Sequence, residues 1–222
     1  MNVELSAVMR RFTAQGGVKN WDGSPSSVWL TAWTLRIFSH VSFQDWEDFI
    51  YIDPTIVSCG AVWLLNYQSE SGYFIEADNG TLHVAHHDKV VLTAHVLIAL
   101  ERVLQNVQGN EKLHVATAKQ RALTYLEKCL PNIEDIYALC LVTYTMALLK
   151  SPQADLAFGR LLNSYSEEDG KVYWSPTPIK ANRYLVLLFI KQPLLAKFSQ
   201  NAVSSLSAFR LKSFQSCLGC KL

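Results

Sequence analysis

The stretch "AVWLLNYQSESGYF" (residues 61–74) decides how the chain is organised. It is an apolar helical run that stops at a polar turn, which a glycine and two aromatic residues follow. The segment "LLNSYSEEDGKVYW" (residues 161–174) repeats this order. Gly72 and Gly170 suit the left-handed conformation that ends a helix, and the aromatic residues after them can fold back onto its last turn. We interpret the pattern as a recurring joint between helices and not as the edge of an active site.

A second repeat consists of dense apolar helices. Three segments share small or β-branched residues near the start and aliphatic residues at the end: "LTAWTLRIF" (30–38), "LTAHVLIAL" (92–100) and "LVTYTMALL" (141–149). Their small residues allow neighbouring helices to approach closely. The first segment also carries Trp33 and Ile37 among other apolar residues, too many for a helix with a single buried face. We therefore expect three inner, fully buried helices.

Amphipathic helices with one apolar stripe lie between the inner ones, in residues 55–74, 117–135 and 155–174. Asp53 suits an N-cap and Pro54 suits the first helical position. The pattern predicts inner helices from 27, 90 and 136, with a further one from 181, and outer helices from 54, 115 and 154. Strand signals are weak. Alternating buried and amphipathic helices predict an all-α fold, an incomplete α/α toroid.

Composition excludes several classes of protein. The chain has 222 residues, 50% of them hydrophobic, which is enough for one substantial domain. A formal net charge of +1 without blocks of like charge argues against a nucleic-acid partner. The most apolar stretch, residues 184–196, is interrupted by Lys191 and Pro193, so we expect no membrane span. The first residues lack the apolar core of a signal peptide.

The five cysteines are odd in number and irregularly spaced. A disulfide framework is not expected in a chain of this size with such spacing. We interpret Cys59, Cys129 and Cys140 as buried free thiols on helices.

Several motifs together resemble the thioester domain of the alpha-2-macroglobulin and complement family. They are "DGSPSSVWLTAWTLRIF", "YIDP", "AVWLLNYQSESGYF", "VVLTAHVLIALERV" and "YALCLVTYTMALLKSPQADLAFGRLLN". They occur in the family's order over residues 19–183, and a macroglobulin complement-related or CD109-like member is the most similar. The family fold is an α/α toroid, in agreement with the helix pattern.

The resemblance also implies what this chain does not do. In the family, a Gly-Cys-Gly-Glu-Gln segment on the first helical hairpin forms an internal thioester, which acylates hydroxyls or amines on a target. That motif is absent from the chain, and we expect its hairpin to lie upstream of residue 1. Cys217 and Cys220 do not replace it, because "SCLGCKL" lacks the glutamine that supplies the acyl group. We therefore expect no enzymatic activity.

One residue is carried over from the family conditionally. Some complement members place a histidine after the Gly-x-Phe joint, where it attacks the thioester to form an acyl-imidazole. In "GYFIEADNGTLH" this position is His83. The resemblance implies a catalytic role for His83 only if the parent protein has a thioester. Otherwise it is an exposed loop histidine.

The segment "HVAHHD" raises the question of a metal, since His83, His86, His87 and Asp88 lie within six residues. Two imidazoles and a carboxylate can form a zinc site. No glutamate lies between the histidines as in the metalloprotease pattern, and a solvated helix start explains the segment better than a metal site. We expect no metal and no cofactor.

Two further candidates concern the surface. Trp46, Phe49 and Tyr51 alternate with acids in "FQDWEDFIYID", as in a partner surface. The alternative is a long loop that packs these aromatics against a neighbouring hairpin. Asn79 begins an Asn-Gly-Thr acceptor for N-glycosylation, which agrees with a secreted parent.

The C-terminal segment differs in composition, because residues 184–222 contain no Asp or Glu. We expect a partial toroid over residues 1–184 and an atypical tail over residues 185–222. The whole predicts a non-catalytic fragment of an extracellular macroglobulin or complement-like protein. Its expected partners are other domains of that protein, and proteases or microbial and cell surfaces. The alternative is a toroidal enzyme of the terpene cyclase or prenyltransferase type, whose Asp-x-Asp-Asp or zinc-ligand motifs do not occur in order here.

Overall fold

The computed structural model describes residues 9–41, 52–77, 88–164, 166–168 and 171–173, and these residues are mostly helical. The helices are α1 (Val28–Val41), α2 (Pro54–Leu65), α3 (Lys89–Val103), α4 (Gly109–Cys129), α5 (Ile136–Leu148) and α6 (Ala154–Asn163). The 3-10 turns Leu104–Asn106 and Leu130–Asn132 follow α3 and α4. The strands form two antiparallel hairpins: β1 (Val18–Lys19) with β2 (Ser26–Ser27), and β3 (Ser166–Glu168) with β4 (Lys171–Tyr173). The predicted all-α class is confirmed.

The chain divides into two compact units. The first comprises Met1–Ile133 with Leu148–Ser151, and the second comprises Glu134–Ala147 with Pro152–Leu222. Helix α3 is the centre of the first unit, since it contacts α1, α2 and α4. All of its residues from Val91 to Leu100 are buried. In the second unit, the residues of α5 from Ala138 to Met146 are buried.

Short polar side chains fix where the helices begin. The carboxylate of Asp53 accepts a hydrogen bond of 2.9 Å from the backbone N–H of Thr55, and Pro54 is the first residue of α2. This hydrogen bond holds the pKa of Asp53 below its ordinary value. Asp135 binds the N–H of Ala138 in the same way at α5, at 2.7 Å. The starts predicted at 54, 136 and 154 are confirmed, and those at 27 and 90 differ by one residue.

The predicted start of α4 at residue 115 is wrong, because the helix begins at Gly109. Its first residues, up to residue 114, are exposed, so no apolar periodicity marks them. Glu111 lies in the first turn, where a negative charge favours the helix dipole. Its carboxylate also accepts a hydrogen bond of 2.8 Å from the Ser58 hydroxyl on α2.

The predicted division into buried and amphipathic helices holds except at α1. Helices α3 and α5 are buried as predicted, and α4 buries the single stripe Val115, Ala118, Ala122, Leu123 and Leu126. In α1, however, Trp33 is 47% exposed and Ile37 is 38% exposed. The opposite face of α1, with Ala32 and Leu35, is the buried one. The number of apolar residues in α1 did not indicate which of its faces is covered by another element.

The three cysteines within the described residues are free thiols, but they differ in burial. Cys140 is buried as predicted, and burial raises the pKa of its thiol to about 12. Cys129 is half-buried. The prediction for Cys59 is wrong, since its side chain is exposed. The buried residues of α2 on either side of it are Val57 and Gly60.

Candidate functional site

The joint after α2 is built around Gly72, which has a φ of +98°. The predicted left-handed conformation is confirmed, but it does not cap the helix, which already ends at Leu65. Gly72 closes a turn in which its N–H donates to the Ser69 carbonyl at 3.0 Å. A Cβ at this position would lie 2.4 Å from the Arg121 carbonyl oxygen of α4. Both the backbone angle and the space therefore require glycine.

Side chains of the joint and of α4 hold the joint against this helix. The amide of Gln68 donates to the carbonyls of Gly72 at 3.0 Å and of Ala118 at 2.8 Å. The guanidinium of Arg121 donates to the Ser69 carbonyl at 2.7 Å. The carbonyls of Ser69 and Gly72, which lie in the turn outside the helices, are satisfied in this way. The joint is thus a fixed element of the first unit.

After the joint, the backbone folds back and enters the core. Gln68 and Phe74 form an antiparallel bridge, as the folding back of the aromatic residues predicted. Phe74 is fully buried, and its N–H donates to the Thr93 hydroxyl of α3 at 2.9 Å. Thr31 of α1 accepts from the N–H of Val18 at 2.9 Å in the same manner. These small residues therefore also provide buried acceptors for incoming backbone.

Glu76 connects the segment after the joint to the N-terminus of α1. Its carboxylate accepts hydrogen bonds from the backbone N–H groups of Val28 at 2.5 Å and Trp29 at 3.1 Å. The hydroxyl of Ser27 lies 3.4 Å from the same carboxylate. A negative charge at this end of a helix satisfies free N–H groups and favours the helix dipole. Glu76 thereby holds the segment at the start of α1.

The residues at the two ends of the segment 74–88 also make contacts. Asp88 caps α3 by accepting from the N–H groups of Val90 at 2.8 Å and Val91 at 3.2 Å. The ammonium of Lys89 lies 4.5 Å from the centre of the Tyr73 ring, in a cation–π contact. Residues 73 and 89 thus hold together the two ends of residues 74–88.

Tyr125 of α4 extends this contact. Its ring centroid lies 5.3 Å from that of Tyr73. Burial and a hydrogen bond with the Cys129 side chain raise the pKa of Tyr125 above its ordinary range. The Tyr125 hydroxyl therefore stays neutral at physiological pH.

The site residues predicted from the sequence lie outside the described residues, namely Trp46, Phe49, Tyr51, Asn79 and His83, together with His86 and His87. Asp88, the last member of the histidine segment, is described and serves as an N-cap. Within the described ranges, no group of three His, Cys, Asp or Glu side chains could hold a metal ion.

Glu76 is the residue that the sequence analysis missed. A capping acid usually lies within or next to the first turn of its own helix, whereas Glu76 is separated from Val28 by 48 residues. No local signal predicts such a contact. The only relevant pattern was the repeated joint, which indicated that the backbone folds back at this place.

The comparison with protein families decides where the chain belongs. The family model for the A-macroglobulin TED domain, the thioester domain, matches residues 6–205. The chain belongs to the A-macroglobulin TED domain family. The predicted resemblance is confirmed, and the predicted α/α toroid is the fold class of this domain.

Relatives of the TED domain chain agree with this assignment. Thioester-containing protein 1 of Anopheles gambiae is 30% identical to it over 189 residues in allele R1 and 31% identical over 193 residues in allele S3. Each match covers 82% of the chain and 13% of the relative. Complement C3 of Oncorhynchus mykiss is 30% identical over 159 residues, or 63% of the chain and 9% of the relative. The chain thus spans about an eighth of the first two relatives. None of the helices in the described part is both long and apolar enough to cross a membrane.

Proposed function

We propose that this chain is a non-catalytic part of a secreted protein of the alpha-2-macroglobulin and complement family. Its role is to contribute a recognition surface in innate immunity or in the inhibition of proteases. The match to the TED domain over residues 6–205 is the observation that carries this proposal. The relatives, thioester-containing protein 1 and complement C3, support the same setting.

The chain lacks the electrophile that acyl transfer by this domain requires. Gly-Cys-Gly-Glu-Gln does not occur in its 222 residues. A recognition role without covalent chemistry is therefore the function that these residues support. His83 acts as a nucleophile only if the parent protein supplies a thioester.

The described residues of the joint support a recognition role, because they form a fixed base in the first unit. Gly72 and its neighbours are fastened to α4, and Glu76 is fastened to α1. Lys89 on Tyr73 holds the other end. Residues that are already fixed in the free protein lose less conformational entropy when they bind a partner.

The proposal includes the extent of the domain, its place and its partners. Residues 1–184 are assigned to the partial toroid, and residues 185–222 to an atypical C-terminal tail. The chain works outside the cell as part of its parent, with Asn79 as a glycosylation site. Its partners are other domains of the parent chain, proteases, and microbial or cell surfaces, with Trp46, Phe49 and Tyr51 as contacts.

The test measures the binding of the full chain to bacterial cells and to immobilised proteases. We expect the chain to bind these targets and a detergent wash to remove it completely, because no covalent bond forms. An adduct that resists denaturing detergent would contradict the non-catalytic role. Failure to bind either class of target would contradict the recognition role.

A set of substitutions tests the proposed contacts. Replacing Trp46, Phe49 and Tyr51 together by alanine should reduce retention at least tenfold, as for the loss of binding hot spots. Trp21→Ala is the matched control, since Trp21 is 53% exposed elsewhere in the first unit. Equal retention by the triple variant and the control would remove these aromatics from the proposed surface.

A further inference from the structure

Two like charges lie opposite each other before and within β1 of the first unit. Phe12 and Val18 form an antiparallel bridge, and the N–H of Lys19 donates to the Arg11 carbonyl at 2.9 Å. Arg11 and Lys19 therefore form a cross-strand pair, in which Cα atoms lie about 5.5 Å apart. Like charges in such a pair are destabilising, so folding alone does not favour this arrangement.

The two charged side chains lie on the outer face of this pair. Val18 is buried, and the ring of Phe12 stacks on that of Phe38 of α1, with centroids 5.5 Å apart. Side chains alternate between the two faces of extended backbone, so Arg11 and Lys19 lie on the opposite face. Their burial agrees with this, since Arg11 is exposed and Lys19 is only half-buried.

Acids do not neutralise these cations within the described residues. Arg10 is exposed beside Arg11, and the one acid in the sequence of residues 9–27 is Asp22, between β1 and β2. No ion pair of the described part includes Arg10, Arg11 or Lys19. We name these three residues the basic face. A like-charge pair without compensation breaks a local rule of strand pairing, as proteins do at functional sites.

The backbone beneath the basic face is fixed in the free protein. The N–H of Val18 donates to the Thr31 hydroxyl of α1 at 2.9 Å. Gly16 has a φ of +98° and approaches α2 so closely that a Cβ would lie 2.5 Å from the Cys59 carbonyl oxygen. The charges are therefore presented from a rigid base, which reduces the conformational entropy lost on binding a partner.

We propose that the basic face binds an extended acidic segment of another protein. Alternate residues of an extended chain point to the same side and are about 6.6 Å apart, close to the separation of Arg11 and Lys19. Two carboxylates at alternate positions can therefore pair with the two cations. A guanidinium also matches a carboxylate through two parallel hydrogen bonds. This surface is distinct from the proposed aromatic contacts and does not depend on the proposed function.

Other anionic partners fit the basic face less well. Anionic lipid headgroups are typically bound by clusters of about four to eight basic residues, and DNA by proteins that contact several phosphates. The basic face has three cations, and the whole chain has a formal net charge of +1. A peptide segment with two carboxylates matches the number of charges that the face offers.

The test measures binding of a fluorescent peptide that alternates glutamate and serine to the full chain. Fluorescence anisotropy is recorded at about 50 mM salt, where screening is weak. We expect saturable binding, which Arg11→Glu combined with Lys19→Glu should weaken at least about tenfold. The control is Lys112→Glu combined with Lys128→Glu, which changes the net charge equally at exposed sites of α4. We expect its affinity to stay within about twofold of the wild type.

Two further measurements separate binding from folding. A peptide that alternates lysine and serine should bind the doubly reversed basic face more tightly than it binds the wild type. If the double variant does not fold, Arg11→Glu alone decides. It converts the like-charge pair into an opposite-charge pair with Lys19, so its Tm should equal or exceed that of the wild type. Its affinity for the acidic peptide should nevertheless fall several-fold.

Four results would overturn the proposal. The first is absence of binding by the wild type, and the second is equal affinity in the wild type and Arg11→Glu. The third is an equal loss in the basic-face and control variants, which would show a response to net charge only. The fourth is tighter binding, through Arg11 and Lys19, of heparin or of phosphatidylserine vesicles than of the peptide, which would assign the face to a polysaccharide or a membrane.

Discussion

Replacing Glu76 should destabilise the first unit more than any other exposed or half-buried acid that we describe. Its carboxylate accepts two backbone N–H groups at the start of α1. Each hydrogen bond to a charged group contributes about 1.5 kcal/mol net, or about 3 kcal/mol for the pair. Glu76 is half-buried, so water replaces part of this loss. We expect Glu76→Ala to lower the free energy of unfolding by about 2 kcal/mol.

The variant Glu76→Gln separates charge from hydrogen bonding. It keeps one oxygen acceptor but loses the negative charge at the helix N-terminus, so we expect a loss of about 1 kcal/mol. In a chain of this size, about 2 kcal/mol corresponds to a lowering of Tm by roughly 4–8 °C. The control is Glu70→Ala, at an exposed acid in the polar turn of the same joint. We expect it to change stability by less than about 0.5 kcal/mol.

The assay combines urea unfolding with hydrogen exchange of individual amides. In Glu76→Ala, the amides of Val28 and Trp29 should exchange faster than in the wild type, while those in the centre of α3 keep their relative protection. Equal stability of the Glu76→Ala and Glu70→Ala variants would refute the reasoning. Unchanged exchange at Val28 and Trp29 would refute it independently, because it would show that the carboxylate does not protect these amides.

Three further predictions concern other positions. Gly72→Ala should lower the free energy of unfolding by at least about 2 kcal/mol, because a Cβ would clash with the Arg121 carbonyl and the positive φ would be strained. The control is Gly109→Ala, where φ is +61° and the space is open, and we expect a loss of only about 1 kcal/mol. Equal losses in the two variants would contradict the clash. Cys140 stays protonated up to about 12 when folded, so stability should fall as the pH rises from about 9, and Cys140→Ala should weaken this alkaline loss in urea titrations. The lowered pKa of Asp53 means that it stabilises the fold above the ordinary aspartate value of about 3.9 and that this contribution disappears as the pH falls. Asp53→Asn should therefore flatten the acid limb of the stability curve, and an unaltered limb would contradict the capping role.

Helix positions could be predicted from the sequence where a local signal exists. The Asp53–Pro54 pair marks the start of α2, and Asp135 marks that of α5, because capping acts over two or three residues. The left-handed Gly72 could also be predicted, from the polar turn around it. These features depend only on neighbours along the chain.

Features that depend on distant neighbours could not be predicted in this way. Trp33 and Ile37 have the composition of a buried face, yet burial requires a second element to cover them. The contact between Glu76 and α1 joins residues 48 positions apart, and the contact between Arg36 and His95 joins residues 59 apart. The first residues of α4 were missed for another reason, since exposed residues carry no apolar period.

The most direct test of the central claim is a count of thiols in the full, denatured chain before and after treatment with methylamine. Methylamine opens a thioester and releases one new thiol for each bond. The account predicts an identical thiol count and an unchanged mass, since Gly-Cys-Gly-Glu-Gln does not occur in the sequence. One additional thiol with a stoichiometric methylamide would contradict it.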